Sequence, residues 1–138
     1  MANHWLLGRV HPGAVVLDLG CGAGTDLLIA AQMAGPDGRA VGVDMTASML
    51  ERAAESAEEM GFDSVELHGS LIEALPVDDE SVDVVISNGV IDLVPDKDAV
   101  FDEIDRVLRP GGRVQLADVI IHHEVSEDAR KRIDLWTG

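Results

Sequence analysis

The sequence has no tyrosine, one cysteine and only two lysines among its 138 residues. Each shortage removes a class of protein. A lone Cys21 allows neither an internal disulfide nor a cysteine metal cluster. The five histidines, His4, His11, His68, His122 and His123, show no ligand spacing of the H-x-x-x-H kind, so no metal is expected. Basic residues are scarce as well: ten Lys and Arg face twenty-six Asp and Glu, sixteen of them Asp, for a net charge of -16. Such a chain repels phosphate backbones and anionic lipid heads, so neither nucleic acid nor membrane is expected as a partner. An acidic, lysine-poor surface fits a chain kept soluble at high salt, or an ordinary acidic cytoplasmic protein. The opening MANHWLLGRVHPG lacks the charged start and long apolar run of a secretion signal. No segment approaches the roughly 20 apolar residues needed to cross a bilayer. The expected compartment is the cytoplasm.

What is present is a 46% hydrophobic composition and a length suited to one domain, residues 1–138, with a buried core. Strand and helix patterns alternate. AVVLDLG is a continuous apolar run, as in a strand covered on both faces. TDLLIAAQMAG reads as a helix stopped by Gly35 and Pro36. RAVGVD is a second strand. Thr46 can cap a helix that places Met49, Leu50, Ala53, Ala54, Ala57 and Met60 on one stripe. SVELHG and SVDVVISN are further strands. DKDAVFDEIDRVLRPGG keeps helical spacing through Val100, Phe101, Ile104, Val107 and Leu108 until Pro110, Gly111 and Gly112. RVQLADVII is the fifth strand, and Ser126 can cap a last helix carrying Ala129, Ile133 and Trp136. The pattern predicts βαβ units, a parallel sheet and a three-layer α/β fold, with ligands at the carboxyl ends of the strands.

Gly20, Gly22 and Gly24 fall at the carboxyl end of the first strand, just before a helix. Glycines there permit a tight turn and let a ligand lie against backbone. By itself such a turn is a common feature. The second strand, however, ends in Asp44, twenty positions past Gly24, where an acid can accept hydrogen bonds from both hydroxyls of a ribose. A cap or surface role for Asp44 is the alternative. The pair reads as a nucleoside site. A dinucleotide turn would carry its third glycine at Thr25, and Asp18 adds a second anion beside the ligand. That charge suits a cationic ammonium or sulfonium better than a diphosphate, which favours S-adenosylmethionine.

VVLDLGCGAGTD, VGVDMTASML, ISNGVIDL and RVLRPGGRVQLADV, in this order, resemble the successive motifs of class I S-adenosylmethionine-dependent methyltransferases. They cover Val15 to Val119. The segment ISNGVIDLVPDKDAVFDEIDRVLRPGGR is most similar to the arsenite methyltransferase-like branch, with the ubiquinone and menaquinone biosynthesis methyltransferases next. The resemblance implies a Rossmann-like sheet of strand order 3-2-1-4-5. It implies that Asp18, Gly20, Cys21, Gly22 and Gly24 hold the methionine end, Asp44 the ribose and Met45 one adenine face. Leu71, Ile72 and Glu73 would approach the adenine edge, and Asn88 the amino acid portion. Many relatives carry Asp where this chain has Leu71, which leaves the adenine amino group to backbone or to Glu73.

Methyl transfer from a sulfonium is an in-line displacement that rests on alignment, worth roughly 7 to 11 kcal/mol, with no metal. Should the acceptor be a hydroxyl or an acidic carbon, Asp92, Asp118, His122 and His123 lie near strand ends as candidate bases; surface or structural roles are the alternatives. No catalytic residue is assigned. Arsenite methyltransferases hold trivalent arsenic with cysteine thiolates, one of them in the fourth-strand motif, where this chain has Gly89. No thiolate cage is therefore expected. The family's antiparallel strand pair after strand five is not evident before Gly138. That leaves an apolar edge, for which truncation or a homodimer through strand five is expected. The leading expectation is a methyltransferase acting on a small-molecule acceptor. A non-catalytic S-adenosylmethionine-binding module or partner subunit is second. A nucleotide-dependent oxidoreductase is third, and the missing tyrosine denies it a Tyr-Lys proton donor.

Overall fold

The computed structural model describes residues 10–116. They form a five-stranded parallel sheet of order β3-β2-β1-β4-β5, the order expected from the sequence. The strands are β1 (Val15–Leu19), β2 (Arg39–Asp44), β3 (Val65–Gly69), β4 (Val82–Ser87) and β5 (Leu108–Leu116). The helices are α1 (Thr25–Ala34), α2 (Ala47–Glu59) and α3 (Lys97–Val107), with a short 3-10 turn at Ile91–Leu93. The Asp118, His122 and His123 candidates, the last helix and the far half of the expected strand RVQLADVII lie outside the described residues. Among the described residues β3 and β5 are the sheet edges.

Alternation across β1 explains the three layers. Val15, Leu17 and Leu19 enter one core with Val41, Val43, Val85, Val100, Ile104 and Val107. Val16 faces the opposite way, toward Ala30 and Ala34 of α1 and Val84 and Ile86 of β4. The central strand is buried throughout, which is why its sequence is apolar on both faces. Helix α1 packs with Leu27, Leu28, Ala30, Ala31 and Ala34 buried. Its small residues permit close approach: a Cβ on Gly38 would meet Ala34 Cβ at 2.5 Å. Helix α3 begins where Asp96 accepts a 3.0 Å hydrogen bond from the Ala99 amide, an N-cap that satisfies one of the free first-turn donors.

Two local expectations change. In α2 only Ala53 and Ala57 are buried, while Ala54 is exposed and Met60 is 56% exposed at the C-cap. The helix lies against the sheet edge, so a narrower stripe suffices. Thr46 occupies the N-cap without a side-chain cap bond. Leu108 is not the last residue of α3 but the first of β5, opposite Val82. Pro110 disfavours helical backbone in the residue before it, and the chain is already extended at Leu108, with ψ 136°.

Candidate functional site

The carboxyl ends of β1, β2 and β4 converge on one end of the sheet. There the chain leaves β1 through Gly20, Gly22 and Gly24, all at positive φ (69°, 55° and 95°). At Gly20 the requirement is also steric, since a Cβ would lie 2.7 Å from Val90 Cγ2. Val90 thus seats the turn after β4 on the turn after β1. The Gly20 and Cys21 amides donate to the Val43 carbonyl at 2.8 and 3.1 Å, tying the loop to β2. Gly42 completes the seat, because a Cβ there would meet Leu27, Leu67 and the Cys21 sulfur within 3.0 Å.

Asp44 ends β2 facing this loop. Its Oδ2 accepts from the Gly22 amide at 2.9 Å and its Oδ1 from the Thr46 amide at 2.8 Å. Each carboxylate oxygen has a second acceptor site, so the group is oriented with capacity to spare for two hydroxyls. The two features paired from the sequence, glycine turn and acid, are therefore in direct contact.

Asp18 is buried in β1, 4% exposed. Burial pushes its carboxyl well above the usual range, and the negative charges of Asp26 and Asp44 push it further. Asp26, in the first turn of α1, was not singled out from the sequence. It receives a long, 3.4 Å hydrogen bond from the Asn88 side-chain amide, which brings Asn88 of the β4 end into the site. The signal for Asp26 was its place one residue into the helix that the glycine turn opens. Val90 carried no such signal. Two partly exposed acids, Asp26 and Asp44, with Asp18 buried behind them, favour a cationic ligand group.

Cys21 is buried, and burial together with Asp18 and Asp44 pushes its thiol up to about 12. It is a neutral packing group whose Sγ faces the Gly22 carbonyl at 3.7 Å. Met45 and Leu71 are exposed, at 72% and 49%. They lie close in the fold because Ser70 N donates to Asp44 O at 3.2 Å. Ile72 is buried in the core, and Glu73 is half-buried. Asp92 is exposed in the 3-10 turn. Among the described residues no cluster of His, Cys, Asp and Glu forms a metal site, and no helix is long and apolar enough to cross a membrane.

A doubly wound parallel sheet with a glycine turn and a strand-end acid defines a Rossmann-like domain of the methyltransferase type. Residues 10–137 match the family model described as "Methyltransferase domain", and the chain belongs to that family. It is 50% identical over 136 residues to an arsenite methyltransferase of Halobacterium salinarum, covering 99% of this chain and 35% of that protein. A demethylmenaquinone methyltransferase of Listeria welshimeri is 38% identical over 113 residues, covering 81% of this chain and 48% of that one. Among solved structures, an arsenic (III) S-adenosylmethionine methyltransferase from Chlamydomonas reinhardtii superposes with a TM-score of 0.77 at 36% identity. That match covers 93% of this chain and 46% of the other. Both resemblances expected from the motifs are thereby borne out. The chain spans about a third to a half of the length of these relatives.

Proposed function

We propose that this chain binds S-adenosylmethionine and serves the transfer of its methyl group to a small-molecule acceptor. The observation that carries the reading is the contact between the glycine turn and Asp44, Gly22 N to Asp44 Oδ2 at 2.9 Å, at the carboxyl ends of two neighbouring parallel strands. The donor set fits the cofactor. Asp44 would accept from the ribose hydroxyls, and the backbone of Gly20 to Gly24 would lie along the methionine portion. Asp18, with Asp26 close by, would face its positive charges, and Met45 and Leu71 would cover the adenine. Asn88, held by Asp26, would orient the amino acid end.

When bound, S-adenosylmethionine supplies a methyl group activated by the sulfonium. The chain's own residues then have the work of alignment: the glycine turn, with Val90 packed against Gly20, would fix the bound reactant relative to the sheet. The relatives named for arsenite methylation suggest one acceptor. Cys21, the chain's single cysteine, is buried and neutral at ordinary pH, and residue 89 is glycine. These 138 residues therefore supply no thiolate pair for a soft metalloid, and the acceptor is left at the level of a small molecule.

Calorimetric titration of the purified chain with S-adenosylmethionine, S-adenosylhomocysteine and NAD, beside Asp44→Ala, tests the reading. Binding of the first two, lost in the variant and not seen with NAD, supports it. Binding of NAD alone, or of none of the three, overturns it.

A further inference from the structure

The connection between β3 and β4, residues 70–81, contains neither helix nor strand; its first turn is closed locally, where Ser70 Oγ donates to the Leu71 and Ala74 carbonyls at 3.1 and 2.9 Å. From outside the segment, α3 supplies most of the partners. The Arg106 guanidinium grips both carboxylate oxygens of Glu103, Nε to Oε1 and Nη2 to Oε2, each at 2.8 Å. The same fork donates to the carbonyls of Val77 at 2.7 Å and Leu75 at 3.0 Å, and to Asp79 Oδ1 at 2.7 Å. Glu103 Oε2 in turn accepts from the Leu75 amide at 2.6 Å. The Leu75 residue is thus held by its N–H and its C=O at once, while its side chain shares the core with Ile72. At the other end of the segment the Ser70 amide bonds the Asp44 carbonyl at 3.2 Å.

We propose that the Glu103–Arg106 pair of α3 positions the Leu71–Glu73 segment as the base-facing wall of the nucleoside site, setting discrimination between purine edges without touching the ligand. The proposal rests on the cofactor reading above. Its logic is that of a supporting shell: Ser70 closes the turn that carries exposed Leu71 and half-buried Glu73, and contacts beyond both ends hold that turn against the sheet. Asp44 fixes it near the ribose, and the pair fixes it three residues beyond Ile72. The hydrogen bonds from Arg106 hold the Glu103 carboxyl below the usual range, in keeping with a charged, bidentate pair. Lysine cannot reproduce the pair, because a point ammonium cannot bond two carbonyls and two carboxylates in one plane.

The test titrates the 138-residue chain, Arg106→Lys and Glu103→Gln with S-adenosylhomocysteine and with S-inosylhomocysteine, which lacks the purine amino group. The wild type should prefer the adenine compound. Each variant, checked as folded by its melting curve, should bind the adenine compound about tenfold more weakly and lose most of that preference. Should Arg106→Lys fail to fold, Glu103→Gln, isosteric with the original, carries the test. A folded variant that keeps the preference, or weakens both compounds equally, overturns the proposal. A wild type that binds neither overturns the cofactor reading itself.

Discussion

The Gly22 amide and the Asp44 carboxylate, twenty-two residues apart in sequence, are joined by a 2.9 Å hydrogen bond. The other oxygen of the same carboxylate receives the Thr46 amide at the entrance to α2. One side chain therefore organises both the glycine turn and a helix start. Asp44→Asn keeps the shape but replaces one acceptor by a donor that faces a backbone N–H. The expected cost is about 1–3 kcal/mol of stability and a loss of S-adenosylhomocysteine affinity. Urea unfolding and titration of the same preparation check both, and an affinity equal to wild type would remove Asp44 from the site.

Gly20 and Gly22 separate strain from crowding. Both have positive φ, but only Gly20 has a neighbour where a Cβ would go. Gly22→Ala should cost about 1–2 kcal/mol, the strain of a left-handed non-glycine residue. Gly20→Ala should cost a further ~1–3 kcal/mol for displacing Val90. Shortening Val90 to alanine in the Gly20→Ala background should recover part of that difference, a coupling that a double-mutant cycle measures directly.

Asp18 gives a pH dependence with a definite sign. Its carboxyl is raised in the folded chain above its unfolded value, so the fold favours the protonated form. That contribution is complete below the ordinary carboxylate value and is lost as pH rises through the raised one. Asp18→Asn, neutral at every pH, should match wild type in acid and grow more stable than wild type as pH climbs. Denaturant midpoints of both chains across pH 4 to 8, without ligand, should diverge upward. Parallel curves would show that Asp18 is not strained by its charge.

Cys21, with its thiol pushed up to about 12, is a poor nucleophile at neutral pH. Alkylation by iodoacetamide should be slow in the native chain and rise sharply once denaturant exposes the residue. A native rate equal to the denatured rate would mean that the thiol is open to solvent and ionises normally.

The net charge of -16 should make the fold salt-dependent. Self-repulsion among carboxylates falls as added ions screen it. The melting temperature should therefore rise between low and molar KCl, as differential scanning measures. A flat response would leave the acidity without a role in stability.

Much of this architecture was legible because its signals are local. The apolar runs of β1 and β4 marked strands buried on both faces, and Asp44 at the end of β2 announced the acid opposite the glycine turn. Leu108 misleads because its spacing from Ile104 continues the helical stripe, while its pairing is with Val82 of β4, a residue distant in sequence. The resemblance groups Ile72 with Leu71 and Glu73, but of the three only Ile72 is buried, in a core it shares with residues distant in sequence such as Val100 and Phe101. Asp26 and Val90 enter the site through pairings with residues 62 and 70 positions away, Asn88 and Gly20, and no sequence window contains both partners.

The junction between β4 and β5 has a bearing on how such a chain tolerates changes in length. Val82 faces Leu108 and Val84 faces Arg113, so Asp83 alone lies opposite the four residues from Arg109 to Gly112. That stretch bulges out of the ladder and re-enters it in register. A residue gained or lost there changes the size of the bulge and leaves the pairing from Val84 onward intact. The same change within Leu17 to Leu19 would turn every later side chain of β1 to the opposite face of the sheet. Length variation in evolution or in engineering is thus admissible at one end of this sheet and forbidden at its centre.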